Sequence, residues 1–165
     1  MLHTKRLFLR GPRASDLDAM FAIYSDPQNM TYWSTPPHPD RDTTQKMLSE
    51  KIAAFALSPV NFLIELDGQM IGNAGVFREW EVGFMLHHPF HRQGLVSEAM
   101  LAILPYIWAT TPAQTLTGDA DPHNAASVAL FQKLGFHETH RAKDTFCING
   151  VWSDSVYFAL DRPKA

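Results

Sequence analysis

Residues 81–99 read Glu81-Val82-Gly83-Phe84-Met85-Leu86-His87-His88-Pro89-Phe90-His91-Arg92-Gln93-Gly94-Leu95-Val96-Ser97-Glu98-Ala99. The first six residues have the composition of a strand, and Leu95 onward opens a helix. A strand, a glycine-bearing turn and a helix N-terminus make a natural anion site. Unpaired backbone N–H groups converge there, at the positive end of the helix dipole. Gly94 lets main chain approach a ligand with no Cβ in the way. A plain strand-to-helix turn has the same outline. The stretch is not a P-loop, because no Gly-Lys-Ser/Thr follows. Nor is it a dinucleotide fingerprint, because Gly-x-Gly-x-x-Gly is absent.

Outward from this stretch, strands alternate with helices. Arg6–Arg10 alternates polar and apolar residues and stops at Gly11-Pro12, which predicts a strand. Ser15 is then a helix cap, with Asp18 in capping-box spacing, and Asp26-Pro27 ends that helix. A second helix is expected from about Asp42 to Leu57. Asn61–Glu65 and Met70–Val76 read as strands joined at Asp67-Gly68, and Trp80–Leu86 as the next strand. On that strand Glu81, Gly83 and Met85 share one face, opposite Trp80, Val82 and Phe84. The helix from Leu95 should kink or stop at Pro105. Leu116–Ala120 is a short strand, and Asn124–Leu134 a helix closed by Gly135. Arg141–Ile148 and Val151–Leu160 flank Asn149-Gly150, a strong hairpin signal. The order β-α-α-β-β-β-α-β-α-β-β implies an α/β fold with a mixed, partly antiparallel sheet.

Composition narrows the classes. The chain has 165 residues, 45% hydrophobic and 19% charged, with a formal net charge of −3. That is enough chain for one packed domain over 1–165, and it argues against a broad nucleic-acid surface. Cys147 is the sole cysteine, so an intrachain disulfide is excluded; in a strand pattern it reads as core. No run reaches about 18 apolar residues, and no apolar signal core follows Met1–Arg6. The expectation is a soluble, cytoplasmic protein without a membrane partner. His87, His88 and His91 are close in sequence but lack the helical spacing of a zinc motif, so no metal is expected.

A second motif gives the turn a meaning. Asn124-Ala125-Ala126-Ser127-Val128-Ala129-Leu130-Phe131-Gln132-Lys133-Leu134-Gly135-Phe136 is a capped helix with Asn and Ser on one face. Together with residues 91–97 it resembles the GNAT superfamily of acetyl-CoA-dependent N-acetyltransferases. Thr4–Arg10 and Gly150–Ser155 resemble the opening strand and last hairpin of the ribosomal-protein N-terminal acetyltransferase (RimJ/RimL-like) branch. The resemblance implies the GNAT acyl-CoA N-acyltransferase fold, a mostly antiparallel twisted sheet flanked by helices. It also implies acetyl-CoA as co-substrate, and an amine acceptor that is a protein N-terminus or a small molecule. The sequence departs from the family in three places. His91 stands where Gln or Arg is frequent, Val96 where Gly or Ala is frequent, and Phe131 where many members carry a tyrosine general acid.

The chemistry assigns tasks. Joining an amine to a thioester needs an unprotonated amine, a stabilised oxyanion and a proton for the thiolate. The resemblance suggests Glu81 as base; a solvated or salt-bridged strand glutamate fits the residue equally well. With Phe131 unable to donate, Ser127 is the remaining protein acid, alongside water. A backbone N–H near Met85 or Leu86 would meet the oxyanion, with the pantetheine arm lying along Phe84–Leu86. His91, Arg92, Gln93, Gly94, Leu95, Val96 and Ser97 would hold the diphosphate. Asn124, Phe131 and Lys133 would complete the coenzyme site. Asp119 could hold a cationic acceptor. Tyr32, Trp33 and His38 flank the proline-rich loop at Pro36-Pro37-His38-Pro39, which in that fold would lie over the acceptor site; a substrate wall and plain surface packing fit them equally well. A homodimer through the C-terminal strands is compatible with this reading. So is a catalytically silent acyl-CoA-binding module, given Val96 and Phe131.

Overall fold

The computed structural model describes residues 1–164. Strands β1 (Leu2–His3) and β2 (Leu7–Arg10) lead through a short 3₁₀ turn into α1 (Leu17–Tyr24) and α2 (Arg41–Leu57). The meander β3 (Asn61–Leu66), β4 (Gln69–Arg78) and β5 (Glu81–Leu86) precedes α3 (Leu95–Thr110). Then come β6 (Thr115–Ala120), α4 (Ala125–Lys133), β7 (His137–Ile148) and β8 (Val151–Asp161). All eight strands form one sheet, ordered β1-β2-β3-β4-β5-β6-β8-β7. Each neighbouring pair is antiparallel except β5 and β6. This is the mixed, mostly antiparallel sheet that the resemblance implies.

Strand alternation sends side chains to opposite faces. Phe62, Ile64, Val82 and Leu86 join α3 and Phe131 of α4 in the larger core. Leu63, Met70 and Met85 join Met20, Ile23 and Leu48 of α1 and α2 in the smaller one. The sheet is thus covered on both faces. The turns at Asp67-Gly68 and Asn149-Gly150 both have positive φ at their two central residues, which matches the right-handed twist of a two-residue hairpin. At the end of α4, the N–H groups of Gly135 and Phe136 donate to the carbonyls of Gln132 and Phe131, a Schellman closure. No helix among the described residues is long and apolar enough to cross a membrane.

The structure departs from several expectations. The Ser15–Asp18 capping box does not form, because Asp16 is drawn inward to a bidentate pairing with Arg10 at 2.7 and 2.9 Å. Asp16 also accepts the Arg13 N–H, which starts the helix. Pro105 does not end α3, which runs on to Thr110. The lost bond falls at the carbonyl of Leu101, which is 61% exposed, while Met100, Ile103, Leu104 and Ile107 hold the other face in the core. Trp80 is not in a strand: Glu79 (φ 41°) and Trp80 (φ 66°) form a two-residue β4–β5 turn. Cys147 is exposed, because β7 is an edge strand backed only by β8. β7 also begins at His137, before the expected Arg141, and β1 is an addition to the expected order.

Arg10 and Asp16 are each 4% exposed, and Glu65 accepts from Arg10 Nε at 2.5 Å. Removing Asp16 leaves the buried Arg10 guanidinium with Glu65 as its one remaining carboxylate partner among the described residues. Asp16→Ala is therefore expected to lower the unfolding free energy by about 3–5 kcal/mol in urea titrations. A loss within that of an ordinary surface substitution would show that Arg10 does not depend on Asp16.

Candidate active site

The site exists because β5 and β6 part company. They share a single paired position, Glu81 with Thr117, and the Thr117 N–H donates to the Trp80 carbonyl at 3.0 Å. Beyond it the strands diverge, and a cleft of about 500 Å³ opens between them. Steric bulk below holds it open. Phe131 (2% exposed) stacks on Phe158 at 4.8 Å and leans on Phe84 at 5.1 Å. Gly118 is what admits that ring: a Cβ there would lie 2.4 Å from Phe131. Phe131 is thus an apolar floor with no proton to give.

Divergence leaves a strand edge unpaired. The His87 N–H donates to Ile71 on β4 at 2.8 Å, and Met85 pairs opposite Asn73. Main-chain groups alternate sides, so Met85 spends its N–H on β4 while Phe84 and Leu86 turn theirs toward the open edge. The Met85 amide thus faces β4, and its side chain is buried in the smaller core, outside the cleft lining. Phe84 has its N–H on the open edge and its side chain in the cleft lining. Leu86 keeps its N–H open, but its carbonyl is taken by His91 Nε2 at 2.7 Å. His91 thereby braces the loop onto the strand end.

Gly94, with φ 73°, is the N-cap of α3 and supplies no capping side chain. The N–H groups of Leu95, Val96 and Ser97 therefore lack intrahelical acceptors. Leu95 buries its side chain and Val96 packs on the core, so these two can offer only main chain. Arg92 and Gln93 are exposed on the turn. Glu98 fixes the helix end from outside, accepting from Thr4 Oγ1, Arg6 N–H and Arg6 Nε at 2.6–2.8 Å. Lys133 stands exposed in the last turn of α4 and does not line the cleft.

Glu81 and Asp119 both line the cleft from its two diverging strands, together with Ser127, Asn124, Tyr32 and Trp33. Burial pushes the Glu81 carboxyl up; Arg78, 3.4 Å away, opposes this, while Asp119 and Glu79 reinforce it. Burial likewise raises Asp119, against the pull of Arg78 and Ser155. Two carboxylates share one cation, which favours a cationic visitor. Asn124 is half committed: its Oδ1 accepts the Ser127 N–H at 3.2 Å, leaving its NH₂ free. The Ser127 hydroxyl has no protein partner among the described residues. Trp33 packs on Phe77 and Tyr24. His38 lies outside the cleft, stacked on Tyr24 and bonded to Thr44. The sequence reading omitted Arg78, Thr145, Ser155 and Tyr157, which also line the cleft. Tyr157 is registered opposite Asp119 on β8 and brings in a phenol. Away from the cleft, Asp26, His87 and His88 gather ligand atoms within 4.8 Å, with Asp26 and His88 bonded to each other at 2.8 Å.

Comparison with known proteins gives this geometry a family. Residues 6–137 match the acetyltransferase (GNAT) domain, and the chain belongs to that family. The [ribosomal protein uS5]-alanine N-acetyltransferase of Escherichia coli is 33% identical over 89 residues, 54% of this chain and 46% of that protein. The chain thus spans about half the length of that curated relative, and the match agrees with a RimJ/RimL-like branch. A GNAT-family acetyltransferase from Bacillus anthracis superposes with a TM-score of 0.84 at 22% identity, covering 98% of each chain. Spermidine N-acetyltransferase from Vibrio cholerae, solved with CoA and spermine, superposes at 0.81 and 17% identity, covering 95% of this chain and 96% of that one. These two likenesses establish the fold.

Because Arg78 lowers both carboxyls, Arg78→Ala should raise the titration points of Glu81 and Asp119 together in carbon-detected NMR. Movement of one carboxyl alone would show that Arg78 does not serve both.

Proposed function

We propose that the chain transfers an acetyl group from acetyl-CoA to a primary amine, by direct attack within a ternary complex. The observation that carries this reading is the cleft itself, where an unpaired strand edge faces two carboxylates of raised pKa. The pantetheine arm lies along the Phe84–Leu86 edge as an added half-strand. The diphosphate rests on the amides of residues 95–97, with Arg92 at hand. The acceptor amine enters past Tyr32 and Trp33 toward Glu81 and Asp119. A match to a ribosomal-protein acetyltransferase favours a peptide N-terminus as acceptor; the acidic cleft also suits a small polyamine.

The amine lone pair attacks the thioester carbonyl carbon and a C–N bond forms. The Phe84 N–H stabilises the oxyanion. Glu81 accepts the amine proton, and its raised pKa makes it a stronger base than an ordinary carboxylate. The C–S bond breaks, and the leaving thiolate takes a proton from Ser127 or from water reaching the cleft. Phe131 only shapes the floor.

Glu81→Gln should lower kcat/KM for amine acetylation by about 100-fold or more while leaving coenzyme A affinity unchanged. The wild-type rate should fall as pH drops through the raised Glu81 pKa, since the base form is lost, and the variant should lack that acid limb. Release of free thiol with an amine panel checks both. Undiminished turnover in the variant excludes Glu81 as base. Coenzyme binding without thiol release from any amine would instead indicate a silent binding module.

A further inference from the structure

A second cavity, of about 420 Å³, lies between the last turns of α2 and the β3–β4 strands. Phe55, Val60, Val76, Phe77 and Trp80 give it apolar walls, and Lys51 is its one cation. Phe77 alone lines both this cavity and the acetyl-transfer cleft. Apolar walls with few polar groups are the usual make-up of a small-molecule site.

Lys51 is the unusual member. A lysine on a helix normally carries its ammonium out to water or to a carboxylate. Here Nζ sits 4.8 Å from the centroid of the Phe77 ring. Among the described residues it makes no ion pair and no side-chain hydrogen bond. Burial pushes its pKa down to about 8. The ring face offsets part of the lost hydration. An uncompensated cation in an apolar pocket is the half of an ion pair that a ligand can complete.

We propose that this cavity binds a small apolar molecule bearing one carboxylate, its body against Phe55, Val60, Val76 and Trp80 and its carboxylate on Lys51 Nζ. A single cation matches a single negative charge. Glu79 at the rim disfavours a phosphate dianion, whose second charge would face it. The Ser58 hydroxyl, also in the lining, can donate to the second carboxylate oxygen. The site needs neither coenzyme nor acceptor, so it stands independently of the acetyl-transfer reading.

Benzoate and its neutral counterpart benzyl alcohol test this on the full chain, with binding followed through the amide NMR signals of Ser58, Val60 and Phe77. Benzoate should bind about tenfold tighter than benzyl alcohol. Lys51→Met should abolish that preference while retaining the alcohol. In the wild type, benzoate should also raise the titration point of the Lys51 ammonium, a measurement that needs no variant. Equal affinity for the two probes, a preference that survives Lys51→Met, no movement of the pocket amides, or an unmoved Lys51 titration would each overturn the proposal.

Discussion

One broken ladder organises the molecule. Seven strand contacts hold an eight-stranded sheet together, and the single parallel one, between β5 and β6, retains just the Glu81–Thr117 pair. Parallel neighbours need a crossover, and here α3 supplies it. The crossover starts at Gly94, so the same connection that makes β6 parallel also places a helix N-terminus at the far end of β5. Below the gap, Phe131 fills the space that continued pairing would have closed, and Gly118 makes room for it. An open strand edge inside a sheet is costly unless something pairs with it. In the proposed function a coenzyme arm pairs with it.

Charge follows from the same opening. Because β5 and β6 still touch at Glu81, the carboxylates of Glu81 and Asp119 are held near one another at the partly dry root of the cleft. Each raises the demand for a counter-charge, and Arg78 meets it only in part. Arg78 itself is aimed by the Glu79-Trp80 turn, whose left-handed residues bring it back toward Glu81. Backbone strain in the turn and electrostatics in the cleft are thus linked through two adjacent side chains.

Much of this was legible in the chain. Asp67-Gly68 and Asn149-Gly150 marked their hairpins because turn chemistry is local. Gly135 marked its helix end for the same reason. The strand–Gly94–helix stretch and the Asn124–Phe136 helix carried the family resemblance, and Glu81, Asp119, Ser127, Tyr32 and Trp33 do line one cleft. What escaped was set by distant partners. Glu79-Trp80 makes a tight turn without glycine or asparagine, because β4 and β5 pair on either side of it. Asp16 leaves its expected neighbourhood for Arg10. Pro105 survives because the opposite face of α3 is clamped in the core. The facing of the Met85 amide depends on which partner β5 keeps. Thr145, Ser155 and Tyr157 reach the cleft from the C-terminal hairpin, whose pairing with β6 no local pattern announces.

The most direct test follows the backbone amides themselves during titration with coenzyme A by two-dimensional NMR. The account predicts saturable shifts at Leu95, Val96 and Ser97 together with Phe84, spanning both ends of the bound molecule, and little change at Met85. Amides at residues 95–97 that stay fixed in the presence of millimolar coenzyme A would contradict it.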